Sequence, residues 1–334
     1  MRFVTILAAA LAATSAGCLE FHRGPLPGTP ADATFADVGG AHVRYVDVGE
    51  GEPVVMIHGF ASSLNVWDGV REAVAARHRV IALDLKGFGW SDRPEGDYSP
   101  RAEAELVLAL LAARGVEGRV SVVAHSWGSS VALALALLRP ERVKKLALYD
   151  AWVYEDQLPT AFLWSRADGM GELIVGAFYD ERPDDKMALG FFDRKYVTEA
   201  LVETVEEQLS RPGTKAAALA AIRGQRFEPM EAEYRRVVAP TLLLWGREDR
   251  VTLLEHGERL SLELPNATLR VYPRCGHFPM IEARAASTRE LVAFLDAPEP
   301  AGPPPAVPAP SAPSAPAQVE SPAPVESPGQ EPPK

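Results

Sequence analysis

The chain has 334 residues, of which 47% are hydrophobic, and a formal net charge of −11 at pH 7. This length accommodates one large domain or two average ones, and the hydrophobic content is ordinary for a protein with a full core. No block of lysine or arginine stands out from the acidic background, which argues against a nucleic-acid-binding surface.

The first residues have the layout of an export signal. Arg2 precedes an apolar, alanine-rich run that is too short to span a bilayer, and small residues then lead to Cys18. We therefore expect residues 1–17 to be a signal peptide. Small residues directly before a cysteine resemble the bacterial lipobox, although Ser15 stands where a leucine is usual. The resemblance implies an exported protein that is anchored to a membrane through a lipid on Cys18. Plain secretion, an uncleaved N-terminal anchor and no export at all stay open as alternatives.

The next part of the chain alternates between strand and helix patterns. Residues 18–33 are rich in proline and glycine and predict a tether. Gly39-Gly40 lies between two short strand-like runs, Thr34–Val38 and His42–Val48, which is typical of a hairpin. Short apolar runs that predict buried strands then recur at Pro53–Ile57, Arg79–Leu83, Val120–Val123, Lys145–Tyr149, Pro240–Trp245 and Thr268–Tyr272. Helical patterns separate them at Val66–Ala76, Pro100–Ala113, Val131–Leu138 and Ile281–Leu295.

This alternation predicts an α/β fold: a mostly parallel, eight-stranded sheet with helices on both faces. The core comprises residues 34–150 and 239–297. Between them, residues 151–238 contain helical pieces such as Val197–Leu209 and Lys215–Arg223 but no clear buried strand, so we expect an inserted helical cap. Residues 298–334 are almost entirely Pro, Ala, Ser and Glu and predict a disordered tail.

The cap sequence is rich in aromatic residues. We expect most of them to form the core of the cap and a minority to face a binding site; they are Trp152, Phe162, Trp164, Phe178, Tyr179, Phe191 and Phe192. Together with Trp127, they favour a small-molecule substrate with an apolar or aromatic acyl group.

The stretch Val120–Ser130, VSVVAHSWGSS, is the most informative segment of the chain. A buried strand, a turn of small residues and a helix follow one another directly, which places Ser126 at the apex of the turn. This arrangement resembles the nucleophile elbow G-x-S-x-G of serine hydrolases, with Ala124 where the first glycine is usual. Because the serine is held in a strained backbone conformation, the positions two residues away must have almost no side chain, and Ala124 and Gly128 meet that need.

Two further polar residues, Asp249 and His277, also lie just after predicted strands. The carboxyl ends of parallel strands meet at one edge of a sheet, so Ser126, Asp249 and His277 are expected to lie close together. Their order along the chain is that of the α/β-hydrolases. From about Thr34 to Asp296 the chain resembles a capped member of that superfamily, with the segments HGF, DLKGFGWSD, AHSWGS, WGREDRV and CGHFP.

The resemblance implies a role for each residue. Since a serine hydroxyl is a poor nucleophile at neutral pH, His277 would accept its proton as Ser126 attacks, and Asp249 would orient and stabilise that imidazole. The backbone amides of Phe60 and Trp127 would form the oxyanion hole.

Several residues have alternative interpretations. Asp150 follows a strand of its own and Glu248 precedes Asp249, so each is an alternative triad acid. His58 begins the oxyanion loop, where a structural role is commoner than a catalytic one. Cys275 is expected to be a small buried residue.

The leading functional hypothesis is hydrolysis of a carboxylic ester or lactone through an acyl-Ser126 intermediate. Alternatives on the same fold are a carbon–carbon bond hydrolase, a cofactor-free haloperoxidase and a peptidase; an alternative of another class is a surface-anchored ligand-binding protein. Dehalogenases and epoxide hydrolases of this fold attack through an aspartate, which Ser126 argues against. No metal-binding or dinucleotide-binding motif is present in the sequence, so we expect no cofactor, and no protein partner is inferred.

Overall fold

The structure is a computed structural model that describes residues 19–181 and 183–299. The predicted signal peptide, Cys18 and all but the first two residues of the predicted tail lie outside the described residues. Over the ranges that are described, none of the helices combines the length and apolar character needed to cross a membrane.

An eight-stranded sheet organises the fold. Its strands are β1 Thr34–Val38, β2 Ala41–Val48, β3 Pro53–Ile57, β4 Arg79–Leu83, β5 Val120–His125, β6 Val143–Tyr149, β7 Thr241–Gly246 and β8 Ala267–Tyr272. They lie side by side in the order β1-β2-β4-β3-β5-β6-β7-β8. Strand β2 runs antiparallel to both of its neighbours and every other adjacent pair is parallel. The predicted mostly parallel sheet is confirmed.

The burial of each strand explains its sequence pattern. Every residue of β5 and β7 is buried, because helices cover both faces of the parallel region, and both strands are accordingly almost continuous apolar runs. The β1–β2 hairpin turns at Gly39 and Gly40, whose φ angles of 57° and 75° are ones that other residues rarely adopt. The Gly-Gly pair therefore determines where this hairpin turns.

The described residues form twelve α-helices: α1 Asp68–Ala75, α2 Pro100–Ala113, α3 Trp127–Leu138, α4 Thr160–Ser165, α5 Met170–Phe178, α6 Pro183–Gly190, α7 Glu199–Ser210, α8 Thr214–Gly224, α9 Glu228–Glu231, α10 Leu254–Glu263, α11 Pro279–Glu282 and α12 Arg284–Asp296. Helices α2, α3 and α10 pack on one face of the sheet, and α1, α11 and α12 pack on the other. The last predicted helix is therefore two helices, separated at Ala283.

Helices α4–α9 lie between β6 and β7 and form the predicted helical insertion. Its helix α8 buries Ala217 and Ala221 in the main core, which joins the insertion to the sheet domain. The described part of the predicted tether is also held against the body. His22 and Arg93 exchange two backbone hydrogen bonds of 2.9 and 3.0 Å, and Leu26 is buried.

Candidate active site

The turn between β5 and α3 holds Ser126 in a strained conformation. Ser126 has a φ of 51° and a ψ of −126°, outside the regions that ordinary residues prefer. A methyl group at Gly128 would lie 2.3 Å from the carbonyl oxygen of His58, so this position accepts only glycine without a shift of the backbone. Ala124 is fully buried and pairs with Ile57 and Leu148 of the neighbouring strands, where its small side chain is accommodated.

Ser126, His277 and Asp249 form a continuous hydrogen-bonded series. The hydroxyl oxygen of Ser126 lies 2.9 Å from Nε2 of His277, and Nδ1 of His277 lies 2.7 Å from Oδ2 of Asp249. All three side chains are buried. Because Nδ1 faces a carboxylate, it carries the ring proton, which leaves Nε2 free to accept a proton from Ser126.

Asp249 is held as a carboxylate by four donors. Its Oδ1 accepts the amides of Val251 and Thr252 at 2.7 and 3.1 Å, and its Oδ2 accepts the Thr252 hydroxyl at 2.6 Å and His277. Burial by itself would raise the pKa of Asp249, but His277 and these hydrogen bonds outweigh burial and keep the pKa below its ordinary value. Asp249 is therefore ionised at neutral pH, as an orienting acid must be.

Asp150, the alternative acid, lies beside this series but has fewer hydrogen-bond donors around its carboxyl group than Asp249 has. It follows β6 with a φ of 42°, and its Oδ1 accepts the amide of Gly246 at 2.9 Å, whereas its buried Oδ2 has no hydrogen-bonding partner among the described residues. Burial, and then repulsion from Asp249, raise the pKa of Asp150 well above its ordinary value. We find no hydrogen bond between Asp150 and His277 in the described structure, so the geometry favours Asp249 as the acid.

Glu248, the other alternative acid, accepts the backbone amide of Cys275 at 3.0 Å, and within the described residues no hydrogen bond joins it to His277. Cys275 itself is buried, as expected. Asp150, Asp249 and His277 bring possible metal-ligand atoms within 4.8 Å of one another. However, Nδ1 of His277 already carries the proton that it donates to Asp249, and the raised pKa of Asp150 opposes the carboxylate form that a metal ligand needs, so these residues make a poor metal site.

The loop after β3 approaches Ser126 closely. A methyl group at Gly59 would lie 2.9 Å from Cβ of Ser126, so glycine permits this approach. Within the described residues, the amides of Phe60 and Trp127 are not used in any hydrogen bond. Trp127 also begins α3, whose N-terminus favours negative charge. These two amides are therefore available to bind an oxyanion.

His58 is a structural residue. Its Nδ1 donates to the carbonyl oxygen of Gly59 at 2.7 Å, and its Nε2 accepts the amide of Leu85 at 2.9 Å, which uses both ring nitrogens. Burial lowers its pKa, so the ring is neutral and fixes the loop.

Comparison with known proteins assigns the family. The model of the alpha/beta hydrolase fold family matches residues 52–284, more than half of the chain. The chain belongs to the α/β-hydrolase fold family.

Relatives of this hydrolase include proteins named as a dienoate hydrolase, a meta-cleavage product hydrolase and an esterase. The 2-hydroxy-6-oxo-2,4-heptadienoate hydrolase of Pseudomonas putida (strain F1) is 31% identical over 78% of this chain and 94% of its own length. The structure of a meta-cleavage product hydrolase from Pseudomonas fluorescens IP01 is 27% identical, with a TM-score of 0.67 over 78% of this chain and 97% of that one. A thermophilic esterase from Thermogutta terrifontis is 25% identical, with a TM-score of 0.69 over 79% of this chain and 98% of that one.

The structure of the hydrolase adds supporting residues that sequence reasoning missed. Thr252 bonds Asp249 through both its amide and its hydroxyl. His125 donates from Nε2 to the carbonyl oxygen of His277 at 2.8 Å, and Glu282 accepts the amide of Gly276 at 2.6 Å. Thr252 could have been found from its position three residues after Asp249, whereas the contacts of His125 and Glu282 cross the fold and have no local signal.

Aromatic rings surround Phe60, on the loop after β3, in this hydrolase. The ring of Phe60 contacts Phe88, Trp127, Phe162 and Tyr179, with centroids 5.4–6.3 Å apart. The cap therefore contributes two rings, Phe162 and Tyr179, to the group around Phe60.

The expectation for the remaining cap aromatics was partly wrong. Trp152 and Phe191 are buried, but three of the seven rings are exposed at the surface: Trp164, Phe178 and Phe192. They lie on helices or loops whose other side packs inward, so hydrophobicity alone did not identify their environment.

Proposed function

We propose that this α/β-hydrolase cleaves a carbon–carbon bond in a 2-hydroxy-6-oxo-dienoate through an acyl-Ser126 intermediate. The observation that carries the chemistry is the hydrogen-bonded series from Ser126 through His277 to Asp249. The choice of bond is supported by the similarity to the heptadienoate hydrolase over nearly its whole length. The sequence hypothesis placed esters and lactones first, and this proposal reverses that order.

The first half of the reaction transfers an acyl group to the serine. His277 accepts the proton of Ser126 as its oxygen attacks the 6-oxo carbon, and the amides of Phe60 and Trp127 stabilise the resulting oxyanion. Asp249 stabilises the imidazolium without taking its proton.

A carbon–carbon bond breaks only if the departing carbon can delocalise its electron pair. In the proposed substrate, moving the proton of the 2-hydroxyl group to C5 converts that hydroxyl into a 2-oxo group. When the bond between C5 and C6 then breaks, the 2-oxo group receives the electron pair and becomes an enolate. That enolate takes the proton held by His277 and leaves as the neutral enol. Water, deprotonated by His277, then hydrolyses the acyl-serine and restores the free enzyme.

The lining of the site is compatible with a flat conjugated substrate. Phe60, which follows the Gly59 that lies beside Ser126, packs edge-on with Phe162 and Tyr179 of the cap. Such rings stack on planar conjugated groups at little cost in conformational entropy.

The decisive experiment compares two substrates on the full chain. We expect 2-hydroxy-6-oxo-2,4-heptadienoate to lose its conjugated absorbance with a kcat/KM above that of p-nitrophenyl esters, and Ser126→Ala to abolish both activities. Efficient ester turnover without dienoate cleavage would refute the carbon–carbon proposal and leave an ester hydrolase. If neither substrate reacts and a fluorophosphonate fails to label Ser126, the chain is a binding protein.

Ester hydrolysis is the second candidate. It is favoured by the similarity to the Thermogutta esterase. It needs the same series of residues and the same two amides but no delocalised leaving group, so only the substrate comparison separates it from the first proposal.

A further inference from the structure

The cap contacts the backbone of the catalytic base directly. His277 lies in the loop between β8 and α11, residues 273–278, which we call the base loop. The backbone amide of His277 donates to the carbonyl oxygen of Gly190, the last residue of α6, at 2.6 Å. Its carbonyl oxygen accepts Nε2 of His125, in the strand that leads to Ser126, at 2.8 Å. Both backbone polar groups of the base are therefore held, one by the elbow and one by the cap.

This contact is too close for larger side chains. We call residues 188–193 of the cap the docking segment. A methyl group at Gly276 of the base loop would lie 2.5 Å from the carbonyl oxygen of Gly190, and one at Gly190 would lie 2.8 Å from the ring of Phe278. The ring of Phe191 stacks on that of Phe278, with centroids 4.8 Å apart. The docking segment and the base loop thus meet at backbone contact, where a shift of one displaces the other.

A carboxylate joins the same two segments. Glu282, at the end of α11, accepts the amide of Gly276 in the base loop at 2.6 Å. It also accepts the amides of Phe192 and Asp193 in the docking segment, at 3.2 and 2.9 Å. Backbone amides bind a carboxylate more strongly than a neutral oxygen, so Glu282 is a strong link between the cap and the base loop.

The turn that carries the triad acid is joined to the docking segment as well. Arg250 directly follows Asp249, and one of its guanidinium nitrogens donates to the carbonyl oxygens of Ala188 at 2.7 Å and Phe191 at 3.1 Å. The docking segment therefore contacts both turns that supply the partners of Ser126.

Small displacements at these contacts matter because proton transfer depends on distance. Nε2 of His277 lies 2.9 Å from the Ser126 oxygen and Nδ1 lies 2.7 Å from Asp249, so the imidazole must satisfy two hydrogen bonds at once. A misplacement of about 1 Å can cost about 10²-fold in rate. Removing the cap would leave the amide of His277 without its acceptor and would permit such a displacement.

We propose that the docking segment positions the catalytic base, with Glu282 and Arg250 as the positioning residues that join it to the triad loops. The cap then does more than cover a substrate, because its place on the core keeps His277 within reach of Ser126. This inference rests on the proposed role of His277 as the base, but it is independent of the bond that the enzyme cleaves.

Glu282→Ala tests the link in the full chain. The variant loses three hydrogen bonds, so we expect kcat to fall about 10²-fold with a smaller change in KM, and a fluorophosphonate to label Ser126 correspondingly more slowly. Labelling needs Ser126 and His277 but no particular substrate, so it separates loss of the link from a wrong choice of bond. Glu282→Gln retains an oxygen that can accept Gly276 and Phe192, and it should restore most of the rate.

Two arginines form a matched pair of controls. Arg250→Ala breaks the bonds to the docking segment, whereas Arg211→Ala breaks another guanidinium bond between cap and core, to the carbonyl oxygen of Gly89 at 2.8 Å. We expect slower labelling in Arg250→Ala and wild-type labelling in Arg211→Ala, with thermal unfolding measured for every variant.

Two results would overturn the proposal. Wild-type kcat and labelling in Glu282→Ala, with only a lower melting temperature, would show that these contacts serve stability alone. Equal losses of labelling in Arg250→Ala and Arg211→Ala would show that any loosening of the cap slows the enzyme, with no specific role for the docking segment.

Discussion

Replacing Asp249 with asparagine tests the assignment of the triad acid most directly. The asparagine oxygen can occupy the position of Oδ1, where it accepts the amides of Val251 and Thr252. Its NH2 group then lies at the position of Oδ2, 2.7 Å from Nδ1 of His277. Two N–H groups cannot face each other at this distance, so the imidazole must move its proton from Nδ1 to Nε2.

This change of tautomer removes the base. The Nε2 proton of His277 would point at the Ser126 oxygen 2.9 Å away and could not accept the serine proton. We therefore expect kcat to fall about 10⁴-fold, or about 5 kcal/mol in activation free energy. KM should change little, because Asp249 is buried behind His277 and is not exposed to substrate.

Asp150→Asn is the matched control. An amide has the shape of a protonated carboxyl group, so asparagine can retain the hydrogen bond from Gly246 and present an N–H in place of the carboxyl proton. We expect activity close to that of the wild type. Steady-state kinetics on the substrate that the wild type turns over, with thermal unfolding to confirm folding, would measure both variants. A greater loss in Asp150→Asn than in Asp249→Asn would show that the acid assignment is wrong.

Three further predictions concern stability and binding. Because folding raises the pKa of Asp150, unfolding releases its proton, so the free energy of unfolding should fall as the pH rises above the ordinary aspartate pKa of about 3.9, by up to about 1.4 kcal/mol per unit, until the carboxyl group also ionises in the folded protein; Asp150→Asn should remove this component in urea titrations. Gly128→Ala should lower the melting temperature and activity, because its methyl group would meet the carbonyl oxygen of His58. Phe162→Ala should raise KM about tenfold with kcat retained, since it removes a ring that contacts Phe60.

Matched substitutions control the last two predictions. A methyl group at Gly176, in the middle of α5, meets no atom within 4 Å, so Gly176→Ala should stabilise the protein by about 1 kcal/mol. Phe192→Ala removes an exposed ring and should leave KM unchanged. Equal effects of the two glycine substitutions, or of the two phenylalanine substitutions, would contradict the structural reasons given. An identical pH dependence of unfolding in the wild type and Asp150→Asn would contradict the first prediction.

The strands and the nucleophile turn were predictable because their signals are local. A run such as VSVV followed by small residues and a helix specifies a strand, a turn and a helix without reference to the rest of the chain. Helix α2 is a similar case: Ser99 accepts the amide of Ala102 as an N-cap and Pro100 occupies the first turn, as its sequence predicts. The predicted final helix differs because the break at Ala283 has no proline or glycine to mark it.

The charge states in the site depend on distant parts of the chain. Asp150 and Asp249 both follow buried strands, and their sequences do not distinguish an ionised acid from a protonated one. Four donors surround Asp249 whereas Asp150 receives one, and this difference arises only when the turns after β6, β7 and β8 meet. The role of His125 likewise requires the base loop, 152 residues later in the chain, to lie against the elbow.

The sequence by itself determined the α/β architecture, the serine turn and the residues available for acyl transfer, because strand periodicity and small turn residues act over a few positions. Tertiary structure decided which carboxyl group contacts His277 and which cap rings face Phe60 rather than solvent. It also packed Leu19 of the N-terminal segment and Phe60 of the loop after β3 against the cluster that contains Val175 of α5. These features are set by the packing of elements far apart in the chain, where burial and neighbouring charges, rather than residue type, determine what each side chain does.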